Sequence, residues 1–474
     1  MRQERFVSAA SKPAPHGELV VRSPFDQQPV AKVEQATAED WAAALQMASQ
    51  ARYELLRMPP HQRAAILEAA ATTVKARRDD LATLLVEEAG KPLSLARVEV
   101  DRCVETLLES ARVARTPECQ LLDLSAFPSG QGRWGLLRRF PVGVVVGITP
   151  FNFPLNLVAH KLGPAVAAGC PILLKPASQT PSPALYLARI LISSGLPPQA
   201  LAVLPCPGQT VEPLLTAPEV RLVTFTGSAQ VGWHLKQLCW SQRVTLELGG
   251  NAAVVVEEDA GHWEAVAQRI ALGAFAYAGQ SCISVQRVLV ASPVYEQFRQ
   301  LLVAAATSFP TGDPAAEGIL CGPMISPADA QRLQDWVFSA QQAGARLLTP
   351  WRREGSLVWP QLLEQVPHQH PLWAEEAFAP VAVLEPFRDF EEALAKVNDS
   401  RFGLQCGLFT RDLGKIRRAW EAVEVGAVIA GDIPSWRSDP MPYGGVKQSG
   451  TGREGPAWAV ESMTEPRLLV LSPG

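Results

Sequence analysis

One cysteine in this 474-residue chain sits where a thiol can react. Cys282 follows Gly279, Gln280 and Ser281, between a long apolar segment at residues 265–278 and a β-branched run at residues 283–290. A cysteine chosen blind is most often a small buried hydrophobe. Small residues on the N-terminal side of this one let a ligand approach. A turn between a helix and a strand can also aim backbone N–H groups at a reacting oxygen. Such a thiol works as a nucleophile only if the chain supplies a base, an oxyanion donor and a partner for the electrophile.

Three strand ends in the first half are rich in polar residues or glycine, and in an open α/β sheet ligands bind at such ends. The first is Thr149-Pro150-Phe151-Asn152-Phe153-Pro154. Its Asn152, held among prolines and phenylalanines, either caps the following helix or points an N–H at an oxyanion. In the second, Lys175-Pro176-Ala177-Ser178, the lysine either bridges ribose hydroxyls or is solvated. The third, Thr226-Gly227-Ser228, opens a helix and offers N–H groups and a hydroxyl to a phosphate. It is not the Gly-x-Gly-x-x-Gly fingerprint of a plain dinucleotide-binding fold. Glu247 ends an apolar strand and precedes Leu248, Gly249 and Gly250. A carboxylate between leucines is pushed to a raised pKa and suits a general base, unless the strand end reaches solvent. Downstream lie Glu375 and Glu376 beside Phe378, and a glycine-rich loop that begins Pro442-Tyr443-Gly444-Gly445.

These residues need a frame, and hydrophobic periodicity predicts one. Residues 18–35 read as short extended pieces. Thr37, with Asp40 three positions on, reads as an N-cap for a helix with Trp41, Leu45 and Ala48 on one face. Pro59 and Pro60 stop it, and helices follow at residues 61–77, 79–89 and 94–115. This amphipathic shell carries no pattern that points to chemistry. From residue 142 apolar strands (142–148, 171–175, 201–204, 221–225) alternate with helices (156–168, 182–194, 211–215). After Glu247 the cycle repeats, with strands at 252–256 and 285–291 and helices at 261–278 and 294–308. The alternation predicts parallel sheets covered on both faces. The expected fold is α/β, with two doubly wound domains and Cys282 in the second. Residues 133–140 and 466–471 read as exposed strands able to pair with another chain.

Bulk properties exclude several classes. The net charge is −4, and no run of five or six basic residues occurs, which argues against nucleic acid and anionic membrane as partners. The eight cysteines are nowhere closer than 16 residues, so no Cys-x-x-Cys metal or redox pair exists, and no metal site is expected. Reduced thiols in the cytoplasm are the expectation. Residues 1–15 are polar and do not read as a signal peptide. Residues 141–159 carry no charge, but three prolines and two asparagines mark them as core rather than a membrane span.

Taken together and in order, several segments resemble the NAD(P)-dependent aldehyde dehydrogenases over nearly the whole chain. They are Pro150-Phe151-Asn152-Phe153-Pro154, Lys175-Pro176-Ala177, Phe225-Thr226-Gly227-Ser228, Glu247-Leu248-Gly249-Gly250, Gly279-Gln280-Ser281-Cys282, Glu376-Ala377-Phe378-Ala379-Pro380 and Gly444-Gly445-Val446-Lys447 with Ser449-Gly450. The resemblance implies that Cys282 is the nucleophile, that Asn152 and the Cys282 N–H hold the oxyanion, and that Glu247 activates water. It implies a homodimer or homotetramer and NAD or NADP as cofactor. Lys175 would bind the adenosine ribose, Ser228 a phosphate and Glu376 the nicotinamide ribose beside Phe378; Thr149, Pro150, Phe151, Ser178, Gly227 and Gly249 complete the cofactor contacts. Residues 1–118 and 141–246 would form the NAD(P)-binding domain and 247–434 the catalytic domain. Residues 119–140 and 435–474 would be oligomerisation or bridging segments, including a small β extension.

Two departures matter. Phe151 stands where many members carry Trp, which keeps an aromatic wall. Ser178 stands where Glu often repels a 2′-phosphate, so tolerance of NADP is expected. The stretches around Asn152 and Cys282 are similar to those of members acting on lactaldehyde or semialdehydes, and the expected substrate is a small hydroxy- or semialdehyde. The loop around Trp436 and Pro440 would shape its pocket. His160, Arg287 and Arg437 either hold an anionic or hydroxylated end or are structural. Alternative readings are a binding protein of the same fold without chemistry and a coenzyme A-acylating enzyme. The presence of Cys282, Asn152 and Glu247 weighs against the first, and Glu247 against the second.

Overall fold

The apolar strands gather into two separate sheets, which position everything described below. The computed structural model describes residues 1–10 and 17–472. Residues 11–15 of the polar N-terminal stretch, and 473–474, lie outside the described residues.

In the first sheet Arg243–Glu247, Val220–Thr226, Val144–Ile148, Ile172–Lys175 and Leu201–Val203 lie side by side and parallel. Val144–Ile148 is buried along its whole length, as a central strand covered on both faces must be. The helix Asn156–Ala168 is buried on every residue and stops at Gly169, whose φ of 81° suits glycine. The second sheet runs Gln361–Glu364, Val381–Phe387, Arg287–Ala291, Ala253–Val256, Gln405–Phe409 and Ala427–Ala430, all parallel, with Arg346–Leu347 antiparallel at one edge.

The N-terminal helices form Ala38–Arg57, Pro60–Ala76, Arg78–Ala89 and Leu93–Arg115. The capping box is present: Thr37 Oγ1 accepts from Asp40 N at 3.2 Å, and the Asp40 carboxylate accepts from Thr37 N at 2.9 Å. Pro60–Ala76 and Leu93–Arg115 share one core with Asn156–Ala168, so the shell is part of the first sheet's cover. No helix among the described residues is long and apolar enough to cross a membrane.

The two strands read as able to pair with another chain also pair within this one. Trp134–Pro141 and Thr464–Leu471 pair antiparallel with one another, and Cys119–Asp123 extends them into a three-stranded sheet. The register runs from Thr464 opposite Pro141 to Leu471 opposite Trp134, so each strand satisfies backbone groups of the other. The C-terminal segment also returns to the first sheet, where Gly450–Thr451 lies antiparallel to Arg243–Glu247 and sets Gly450 opposite Glu247.

Gly450 has φ 140°, and a Cβ there would overlap the Leu246 carbonyl. Gly450→Ala should therefore cost about 1–3 kcal/mol in backbone strain alone, read as a lower denaturation midpoint. An unchanged midpoint would show that this short strand is dispensable.

Candidate active site

Two cavities meet at the C-terminal ends of the first sheet. One, of about 330 Å³, is lined by residues from both sheets, including Asn152, Glu247, Cys282, Glu376 and Tyr443. The other, of about 380 Å³, is lined by Thr149, Lys175, Gln179 and the start of the helix Ala229–Leu238. Pro150, Thr226, Gly227 and Ser228 line both, so the two form one groove.

Cys282 reaches the cavity through an unusual turn. After the helix Trp263–Phe275, Tyr277, Ala278 and Gly279 all take left-handed angles, with φ of 52°, 55° and 64°. Side chains disfavour that region, and the turn is held from outside: Tyr277 N donates to Leu320 O at 2.8 Å and its hydroxyl to Ala89 O at 3.2 Å. A Cβ on Gly279 would overlap the Ala379 carbonyl. Among the described residues the Cys282 backbone N–H has no protein acceptor. The sulfur lies 2.8 Å from the Tyr443 hydroxyl. Burial pushes its pKa up to about 12, with the Tyr443 hydrogen bond opposing.

Asn152 does not cap the helix. It is 4% exposed, and its Nδ2 donates to Gln280 O at 3.0 Å, beside the cysteine turn. Nor does Glu247 reach solvent: it is 3% exposed, and neither carboxylate oxygen has a hydrogen-bond partner among the described residues. Burial, then the nearby Glu454, raise its pKa well above the usual range against the opposing charges of Arg437 and Lys161. Lys161 is buried and donates to Thr224 and Thr226 hydroxyls at 3.1 and 2.8 Å. For Glu454, burial acts against its charge, but His160, Arg437 and Lys161 outweigh it and hold the pKa low, at about 2.

The predicted cofactor contacts fall mainly along the groove. Ser228 caps the helix Ala229–Leu238, its Oγ accepting from Val231 N at 3.5 Å. Among the described residues the Thr149 hydroxyl is buried without a partner and Lys175 Nζ reaches only the Pro176 carbonyl, at 3.3 Å, which leaves polar capacity for a ribose. Glu376 accepts from Gly250 N at 3.0 Å, and burial raises its pKa to about 7. A Cβ on Gly249 would overlap the Glu376 carboxylate. Phe151 meets Phe378 edge-on at 5.8 Å and walls the groove. Ser178 lines neither cavity, while its neighbour Gln179 lines the second.

Of the three uncertain cations, only Arg437 lines the first cavity. Arg287 is buried, and its guanidinium donates to the carbonyls of Asn251, Lys396 and Val397, so it is structural. His160 lies behind the wall, with Nε2 2.8 Å from Asp439 and 3.1 Å from Arg437. Of the loop around Trp436 and Pro440, Arg437 lines the cavity, as does the preceding Ser435, whereas Trp436 and Pro440 do not.

Sequence reasoning missed Arg102, Asn156 and Tyr443. Arg102, from the helix read as mere shell, lines the cavity and donates to both Asp439 oxygens at 2.9 and 2.7 Å. Its partner lies 337 residues away, and a lone arginine on an amphipathic helix looks solvated. Tyr443 stood within a motif whose glycines drew the attention.

The chain matches the profile of the aldehyde dehydrogenase family over residues 12–469. It is 39% identical to a 3-sulfolactaldehyde dehydrogenase of Priestia aryabhattai, covering 96% of this chain and 95% of that one. An aldehyde dehydrogenase of Physcomitrella patens, solved with its reaction product succinate, superposes with a TM-score of 0.96 at 38% identity, over 100% and 99% of the two chains. A glyceraldehyde-3-phosphate dehydrogenase of Methanocaldococcus jannaschii, complexed with NADP, does so with a TM-score of 0.93 at 32% identity, over 97% and 100%. The chain belongs to the aldehyde dehydrogenase family, and with it to the NAD(P)-dependent oxidoreductases that act on the aldehyde group.

Proposed function

We propose that the protein oxidises a small aldehyde bearing an anionic or hydroxylated end to the carboxylic acid, through a thioester on Cys282. The observation that carries this reading is the convergence of Cys282, Asn152, Glu247 and Arg437 on one cavity. The Cys282 sulfur attacks the aldehyde carbon, and the carbonyl π pair moves to oxygen. The Cys282 N–H, which has no acceptor of its own, and the Asn152 amide are the donors for that oxyanion. Lys175, Ser228 and Glu376 would hold NAD or NADP, whose nicotinamide supplies the hydride acceptor that makes the thioester. Glu247 then takes a proton from water, and the hydroxide displaces sulfur from the acyl carbon.

The substrate's charge is argued from the other end of the cavity. Arg102 spends Nε and Nη2 on Asp439, and Nη1 has no acceptor among the described residues. Arg437 keeps its charge: burial opposes it, but Glu454, Tyr443 and Asp439 outweigh burial and raise its pKa. The relatives' substrates and product, sulfolactaldehyde, glyceraldehyde 3-phosphate and succinate, all carry an anion distal to the reacting carbon. A small semialdehyde fits the same chemistry.

We further assign residues 1–118 and 141–246 to cofactor binding and 247–434 to catalysis, in a cytoplasmic homodimer or homotetramer. Assembly would use the three-stranded sheet, where Leu121, Leu468 and Leu469 are exposed.

Absorbance at 340 nm with small aldehydes, NAD and NADP tests the reaction. Cys282→Ala should abolish reduction with either dinucleotide. Glu247→Gln should leave a single burst, one equivalent per site, with turnover slowed on the order of a hundredfold or more. A wild-type rate in Cys282→Ala sinks the reading. Because Glu247 acts only when deprotonated and its pKa is raised, wild-type deacylation should speed up with rising pH; a flat profile argues for another base. Arg102→Gln should raise KM for carboxylate- or sulfonate-bearing aldehydes about tenfold and leave propanal little changed. Equal effects on both would remove Arg102 from anion recognition. Deleting residues 466–474 should lower the sedimenting mass, and an unchanged mass would refute that interface.

A further inference from the structure

We infer that Tyr443 is a further catalytic residue, whose phenol donates a hydrogen bond to the Cys282 sulfur and favours the thiolate over the thiol. The inference rests on Cys282 being the nucleophile. The sulfur and the hydroxyl oxygen stand 2.8 Å apart inside the cavity that both residues line.

The charges around the sulfur explain why a donor is needed there. Burial acts most strongly against a charge on the sulfur, and Glu376, from the loop before Val381–Phe387, and then Glu247, from the end of its strand, act in the same direction. Arg437 and the Tyr443 hydroxyl oppose them, and the hydroxyl is the stronger of the two. Burial, then the nearby sulfur, raise the phenol's own pKa well above its usual value despite Arg437, so the group stays a donor. A thiolate carries no proton, and toward it the phenol alone can donate.

The hydroxyl is held by the framework. Tyr443 N donates to Glu454 O at 2.9 Å and Glu454 N to Tyr443 O at 2.6 Å, which pins the loop through its backbone. The Arg437 guanidinium lies 3.8 Å over the ring centroid, where its charge polarises the O–H outward. When the sulfur lone pair forms the bond to the aldehyde carbon, the carbonyl π electrons go to oxygen and the phenol keeps its proton. Its role ends there, which separates it from Glu247.

The size of the effect follows. A hydrogen bond to a charged group moves the thiol by about one pKa unit, tenfold in thiolate. A less basic thiolate attacks more slowly, by about threefold per unit. The net gain near neutral pH is then about threefold, with the rising limb of reactivity moved to lower pH.

Tyr443→Phe is the test, because it keeps the ring, the Arg437 contact and the backbone pairing. Iodoacetamide labelling of Cys282, followed by peptide mass spectrometry from pH 6 to 11 in cofactor-free enzyme, reads the thiolate directly. The variant should label about threefold more slowly near neutral pH, with its rising limb displaced upward by about one unit. The acid limb of kcat/KM should move the same way. An unchanged labelling profile overturns the inference, and faster labelling would mean that Tyr443 parks the thiol instead. Should the Phe variant fail to fold, 3-fluorotyrosine at position 443, a stronger donor, should move the limb downward, and no movement is again fatal. Oxidation that persists in Cys282→Ala would instead defeat the nucleophile reading, whatever the labelling profile shows.

Discussion

A carboxyl group buried without a hydrogen bond is the constraint around which this molecule is arranged. Ionising a carboxyl in a low-dielectric interior costs several kcal/mol unless charge is supplied nearby. Glu247 can ionise with its oxygens free only where cations offset that cost without covering them. Lys161 and Arg437 do so from two separate elements, and each is itself buried and must be fixed. Threonines of the neighbouring strand hold Lys161, while Glu454 holds Arg437 at 2.7 Å. Two carboxyl groups thus share two buried cations with opposite results. Glu454, hydrogen-bonded to Arg437, keeps its charge; Glu247, without such a bond, keeps its proton more readily. Environments that push two acids apart in this way divide structural from chemical work.

The placing of Cys282 depends on a second constraint, the run of three left-handed residues before Gln280. Non-glycine residues in that region cost about 1–3 kcal/mol each, so the surroundings must over-determine the turn. Tyr277 does much of this, reaching Leu320 with its backbone and Ala89 with its hydroxyl. Ala89 closes a helix of the N-terminal shell, so the shell fixes the cysteine of the second sheet from across the molecule. Asn152 adds a further tie to the Gln280 carbonyl. The Asn152 amide and the thiol are therefore set by one turn held on two sides.

This explains what was legible in the sequence. The helix at 156–168 and the strands flanking it follow from apolar runs, and the capping box at Thr37 from two residues in fixed spacing. Asn152, Glu247 and Cys282 stood out because each interrupts apolar sequence at a strand or turn end. Arg102, Asn156 and Lys161 did not, because each sits on a helix whose pattern already accounts for it. Their partners, Asp439, Thr224 and Thr226, come from distant parts of the chain, and pairwise chemistry of that range leaves no local periodicity. Arg287 misled for the converse reason: it lies next to the cysteine segment but faces carbonyls. The pairing of Trp134–Pro141 with Thr464–Leu471 was hidden in the same way, since two exposed strands satisfy each other as well as a partner.

The groove also separates demands that would interfere at close range. A phosphate needs positive potential, which the start of Ala229–Leu238 provides at one end. The anionic substrate group proposed above would need cations as well, and Arg102 and Arg437 line the first cavity. The same cavity is lined by Phe151, Phe378 and two carboxyl groups of raised pKa, Glu247 and Glu376. Burial is the first cause that raises both carboxyl pKa values, so each ionises less readily between the two ends than a solvated acid would.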